Sequence, residues 1–133
     1  MKQNRSVPDT EVIPVLIYPD VREAAAWLCE AFGFRVRLRI GERHRVQMHA
    51  GATGAVIVAE GDAVGTDAVL IRIEDMDAHF ERAVRSGAEV VNPPTLHMFG
   101  ERQYSVRDFA GRRWHFTETV TDVAPEEWGG ITE

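Results

Sequence analysis

Apolar residues recur along this chain in two rhythms, period two and period three to four, and the switches between them outline the fold. Val12–Tyr18 is apolar on both faces, as a buried strand is. Pro14 inside it argues for an edge or a strand start, because proline cannot donate to the ladder. Asp20 then stands where a helix N-cap belongs. Val21, Ala24, Ala25, Leu28 and Phe32 share one helical face behind it, and Gly33 closes the helix. Phe34–Ile40 alternates strictly, with Phe34, Val36, Leu38 and Ile40 inward and Arg35, Arg37 and Arg39 outward. A tight turn at Gly41 and Glu42 leads to a second alternating strand, Arg43–Ala50. Gly51–Gly54 turns the chain into a short strand, Ala55–Glu60.

The same succession then repeats. Gly61–Thr66 is a polar loop and the candidate internal boundary. Ala68–Ile73 reads as a strand, and Asp75 opens a helix whose stripe runs Met76, Phe80, Ala83, Val84 and Gly87. Glu89–Val91 begins a strand that Pro93 and Pro94 are expected to break, leaving Thr95–Gly100 as a loop. Glu101–Arg107 and Arg112–Val120 are two further strands. Thirteen positions separate Asp20 from Gly33, and twelve separate Asp75 from Gly87. An internal duplication of this kind constrains architecture more than any single element. Neither half buries its own sheet, so the two must pack together. The expectation is an α+β fold of two tandem βαβββ modules forming a curved mixed-sheet cup with helices on the outside. Residues 1–11 form a frayed polar leader, 12–120 a single domain with modules at 12–60 and 67–120, and 121–133 a C-terminal arm. A ferredoxin-like fold has four strands in total, fewer than the seven or eight counted in this sequence.

Composition narrows the function classes. The 133 residues suit one domain. Fifteen Lys and Arg against 21 Asp and Glu give a net charge of −6. That balance opposes binding to nucleic acid or to anionic lipid, both of which require a basic face. The lone Cys29 excludes an intramolecular disulfide framework and a multi-cysteine zinc site, and its place on the first helix makes it a half-buried, inert thiol. No apolar run approaches the ~18 residues of a spanning helix. Met1–Thr10 lacks a secretory hydrophobic core, so the expected location is cytoplasmic.

With both modules outlined, the residues that close the second one carry a resemblance. The paired modules, the Asp20 and Asp75 openings, the Gly33 and Gly87 closings and the run Arg107–His115 resemble the glyoxalase/bleomycin resistance/dioxygenase superfamily, also called the vicinal oxygen chelate superfamily. Its last hairpin reads Asp-Pro-Asp-Gly, whereas Asp108, Phe109, Ala110 and Gly111 stand here. The resemblance implies a divalent-metal site in the enzymes of the family, with ligand positions that fall on Ile13, Val58, Ala68 and His115. Three of these carry no donor atom, too few for a tight catalytic site. Glu60 and His49 are the nearest substitutes. The expectation is therefore no cofactor and no metal.

The resemblance also implies which faces line the cup. His115, Gln103, Ser105 and Arg113 supply its polar groups, with Ile13, Val15 and Val58 as apolar wall, while Trp114, Phe116, Tyr104 and Val106 pack under the helices. Such a mixture suits a small organic ligand. The leading expectation is a drug-sequestering binder of the bleomycin-resistance type, acting as a homodimer. The alternative is a glyoxalase-type lyase or transferase with His115 as general base and Glu60 or Glu118 nearby. The remaining histidines have plainer readings: His79 on the solvent flank of its helix, His44 exposed beside a turn and His97 in the Pro-Pro loop. Trp128, on the arm, is expected to dock on its own domain or on a partner chain.

Overall fold

The computed structural model describes residues 2–62, 65 and 67–132. The element order is β1 (Val15–Tyr18), α1 (Val21–Phe32), β2 (Arg35–Ile40), β3 (Arg45–Ala50), β4 (Gly54–Glu60), β5 (Val69–Arg72), α2 (Met76–Arg85), β6 (Glu89–Leu96), β7 (Glu101–Arg107) and β8 (Arg113–Thr119). The strands divide into two four-stranded mixed sheets of identical topology, β1-β4-β3-β2 and β5-β8-β7-β6. In each, the first strand pairs in parallel with the last and the rest is antiparallel. The two expected βαβββ modules are thus present, each with its own sheet. The expected boundary loop falls partly on Ala63, Val64 and Thr66, which lie outside the described residues. Among the described residues no helix is long and apolar enough to cross a membrane.

Local chemistry sets the helix ends. The Asp20 carboxylate accepts from the Glu23 amide at 3.0 Å, and Gly33 closes α1 at φ 73°. Asp75 caps α2 from the Ala78 amide, yet does so at φ 53°, in the left-handed region. Three strand expectations change. Strict alternation fails in β2, where a bulge between Val36 and Leu38 turns Leu38 and Ile40 to the face of Gln47 and Arg45. Pro93 and Pro94 do not end β6, which runs on to Leu96 with two register shifts. It tolerates them because it is an edge strand. Only Val15–Tyr18 of the first apolar run is paired, with Pro14 just before it.

Both sheets turn one face toward a single hydrophobic core that includes Leu16, Tyr18, Met48, Val56, Val58, Tyr104, Val106, Trp114 and Phe116. Phe32 at the end of α1 packs edge-on against Trp114 and Phe116 of the other module, at 5.4 and 4.8 Å. The seam is also polar. The buried Asp108 carboxylate accepts from Tyr18 Oη at 2.6 Å, from Trp114 Nε1 at 3.0 Å and from the amides of Ala110 and Arg112. Burial and the adjacent carboxylate hold the Tyr18 phenol well above its ordinary pKa, so it remains a donor. The last hairpin therefore keeps its first Asp as a buried acceptor. In the arm, a 3-10 turn at Pro125–Trp128 sets Trp128 against Phe99 at 5.3 Å, so it docks on its own chain.

Candidate functional site

Side chains alternate across β7 and β8, and this alternation separates a dry face from a polar one. Tyr104, Val106, Trp114 and Phe116 face the core and are almost fully buried. Gln103, Ser105, His115 and Thr117 occupy the opposite face. Ser105 pairs across the strands with His115, and Gln103 with Thr117. Ser105 Oγ lies 2.5 Å from His115 Nδ1. Gln103 Nε2 donates to Thr117 Oγ1 at 3.2 Å, and that hydroxyl donates to Glu101 Oε1 at 2.8 Å. Ser105 and Thr117 are buried, whereas Gln103 and His115 are half-buried. The contact to Ser105 engages one ring nitrogen of His115 and leaves Nε2 for whatever approaches this face. Leu70 lies beside His115 in the parallel β5–β8 pair, with 56% of its surface exposed, and Arg113 is exposed at the start of β8.

The first module contributes less than expected. Val58 is 0% exposed and belongs to the core, because its cross-strand partners Leu16 and Val46 face the helices. It is not a ligand wall; Ile57 and Ala59 occupy the other face of β4. Ile13 is half-buried just before β1. The acids proposed as helpers for His115 are also misplaced. Glu60 pairs with Tyr18 and follows the parity of Val58, at an exposed strand end. Glu118 accepts from the Met76 amide at 3.1 Å and so caps α2 on the core side of β8. His115, in the other parity of β8, has neither acid on its face.

The same placements test the metal site of the fold family. Ile13 and Ala68 offer hydrocarbon, Val58 is turned into the core, and only His115 retains a donor. Among the described residues no three His, Cys, Asp or Glu side chains converge. The residues present do not fit the group.

One further feature escaped the sequence pattern. A groove of about 880 Å³ opens where the two modules meet; Phe32, Phe34, Ile71 and Phe116 help to line it together with Leu70, and His115 does not. His79, expected on the solvent flank of α2, lines this groove as well. Its Nδ1 is 2.6 Å from Tyr104 Oη, and its ring lies 4.4 Å from that of Phe116. Burial lowers its pKa to about 4, with the nearby Arg82 charge acting in the same direction and the Phe32 main chain against it. The missed signal is that 76, 79, 80 and 83 form a helical stripe once the histidine is counted as inward-facing.

The comparison with known families settles the architecture. The model of the glyoxalase/bleomycin resistance protein/dioxygenase superfamily matches residues 12–116. The chain belongs to this superfamily. Among solved structures, TioX from Micromonospora sp. ML1 is 31% identical, with 83% of this chain and 98% of that chain covered and a TM-score of 0.74. The fosfomycin resistance protein FosX from Listeria monocytogenes is 16% identical, covering 92% of this chain and 99% of that one at a TM-score of 0.66. A glyoxalase/bleomycin resistance protein/dioxygenase from Nocardioides is 14% identical, with 96% and 90% covered and a TM-score of 0.65. The last two likenesses concern the fold alone. No curated protein matches the sequence.

Proposed function

We propose that this chain binds a small organic molecule on the polar face of β7 and β8, without a catalytic metal, in the manner of a drug-sequestering bleomycin-resistance protein. One observation carries the reading: hydrocarbon side chains at Ile13 and Ala68, where metal enzymes of the superfamily place donors, beside an intact row of polar groups at Gln103, Ser105 and His115. In this reading Ser105 fixes the His115 ring through Nδ1, and Nε2 meets a polar atom of the ligand. Gln103 is held by Thr117 and offers its carbonyl oxygen, Leu70 supplies apolar contact, and Arg113 stands at the rim.

The homodimer belongs to the same proposal. β1 and β5 are both sheet edges, and each carries an exposed apolar side chain, Val15 at 47% and Leu70 at 56%. Unpaired edges with apolar side chains call for cover. A second copy supplies it and encloses the otherwise open His115 face.

The alternative, a glyoxalase-type lyase or transferase with His115 as base, draws its support from the Ser105–His115 contact. Thermal-shift screening of planar aromatic compounds, with and without divalent ions, tests both readings. Binding predicts metal-independent shifts that His115→Ala weakens by about tenfold in Kd, or ~1.4 kcal/mol, with the compound recovered unchanged by mass spectrometry. Shifts that require a divalent ion, or conversion of the compound, favour the enzyme. An unchanged Kd in His115→Ala removes this face from the site.

A further inference from the structure

The polar leader is anchored on the first module, on the face of sheet one that looks away from the core. Gln47 sits in the middle of β3, between the core residues Val46 and Met48, and its own side chain points to the other face. A buried amide in the centre of a strand is costly unless both its ends are bonded. At 3% exposure, Gln47 meets that condition through two partners. Arg37 Nη1 donates to its Oε1 at 2.5 Å, which fixes the orientation of the amide group. Gln47 Nε2 then donates to the main-chain carbonyl of Ser6 at 2.8 Å. Arg37 Nη2 donates to the preceding carbonyl, that of Arg5, at 2.9 Å. Pro8, two residues further on, is buried. The leader is itself shaped by the Asn4 side chain, which accepts from the Ser6 amide at 3.0 Å.

The two side chains thus grip two successive peptide carbonyls, and a prolyl ring is seated beyond them. Nothing in this arrangement uses the identity of the leader's side chains at residues 5 and 6. Its donors read amide oxygens at peptide spacing. Without the leader, Gln47 Nε2 and one arm of Arg37 lose their acceptors, so the face is left with a demand for carbonyl oxygen. We propose that the outer face of the first sheet is a binding site for the amide backbone of a peptide turn, closed here by the Val7 amide on the Asn4 carbonyl at 3.3 Å, and occupied in cis by residues 5–8 as a tethered, displaceable ligand. The site is distinct from the His115 face, which belongs to the other sheet.

Trypsin reads the occupancy in the intact chain, because the Arg5–Ser6 bond it cleaves lies in the gripped segment. The probe is an amidated heptapeptide of residues 4–10 with glutamine in place of Arg5, which trypsin cannot cut. Millimolar probe is expected to displace the leader and to speed cleavage after Arg5 by about tenfold, as a shifted local opening equilibrium does, while cleavage after the exposed Arg43 stays constant. Arg37→Met is expected to speed the same cut without probe. His115→Ala is expected to change neither rate, so the outcome is separate from that of the ligand proposal above. Cleavage after Arg5 that ignores both the probe and Arg37→Met overturns the site. Acceleration by Arg37→Met without a response to the probe also overturns it, since the leader would then be a fixed structural segment.

Discussion

The two modules share a topology, yet their helices do unequal work. Six residues of α1 are buried: Val21, Ala24, Ala25, Leu28, Ala31 and Phe32. In α2 only Met76 and Ala83 are, with His79 and Phe80 half-buried beside them. The reason is position. α1 packs on strands of its own sheet and, through Phe32, on Trp114 and Phe116 of the other module. α2 touches β6 and β7 and meets α1 along one side. Duplication therefore fixes connectivity and leaves the sharing of the core free to diverge. The sharpest test is a pair of truncations. Leu28→Ala removes a fully buried side chain and is expected to cost about 3 kcal/mol, within the range for core leucines. Val84→Ala, at a position 44% exposed on α2, is expected to cost about 0.5 kcal/mol or less. Urea denaturation of both variants measures the difference. Equal losses would mean that the helices share the core evenly.

His79 is where α2 does enter the core, and it makes that contact pH-dependent. Its pKa is lowered to about 4 in the folded chain, first by burial against Phe32 and Phe116 and then by Arg82. The unfolded chain, with an ordinary histidine near 6.5, binds the proton more readily across the window between these values. Stability from this group is therefore complete above about pH 6.5 and falls as the pH drops toward 4. The loss expected over that window is about 2 kcal/mol after allowance for partial exposure. His79→Gln keeps a polar group near Tyr104 Oη and should flatten that part of the stability–pH curve. A slope that persists unchanged in the variant assigns it to other groups.

How far the sequence could be read follows the same division. Strong apolar periodicity gave both modules and α1 with its cap and stop, while the inward set Tyr104, Val106, Trp114 and Phe116 needed the resemblance to say which of two alternating faces is the dry one. The bulge in β2 and the passage of β6 through two prolines were not legible, because both depend on what the neighbouring strand offers and on the position at a sheet edge. Val58 was misplaced by a single residue of register, which in a strand exchanges core for surface. His79 was missed because a hydrophobicity pattern counts histidine as polar, while a partner such as Tyr104 Oη lets it lie inside. On the candidate site, the alternation of Gln103, Ser105 and His115 was readable. The grip of Arg37 and Gln47 on the leader was not, since its acceptors are main-chain carbonyls that no side-chain pattern reveals.

The caps give the smallest contrast and the cleanest one. Asp20 and Asp75 perform the same task, each accepting from the amide three residues on. Their backbones differ. Asp20 is extended at φ −124°, whereas Asp75 is left-handed at φ 53°. Replacing either by alanine removes the cap, at a cost of about 1 kcal/mol. Replacement by glycine costs only a few tenths at an ordinary cap, because glycine leaves the amide open to water. At Asp75 there is a second effect. Aspartate and alanine both hold the left-handed conformation at a cost of about 1 kcal/mol for a residue with a β-carbon, whereas glycine holds it freely. Asp75→Ala is accordingly expected to lose about 1 kcal/mol, the cap alone, and Asp75→Gly, relieved of the strain, to be neutral or slightly stabilising. The gap between alanine and glycine should be wider at 75 than at 20 by about 1 kcal/mol. Subtracting the two gaps removes the capping energy common to both sites and leaves the backbone strain alone. Chemical denaturation of the four variants supplies the numbers. Equal gaps would show that the left-handed turn before α2 costs the chain nothing.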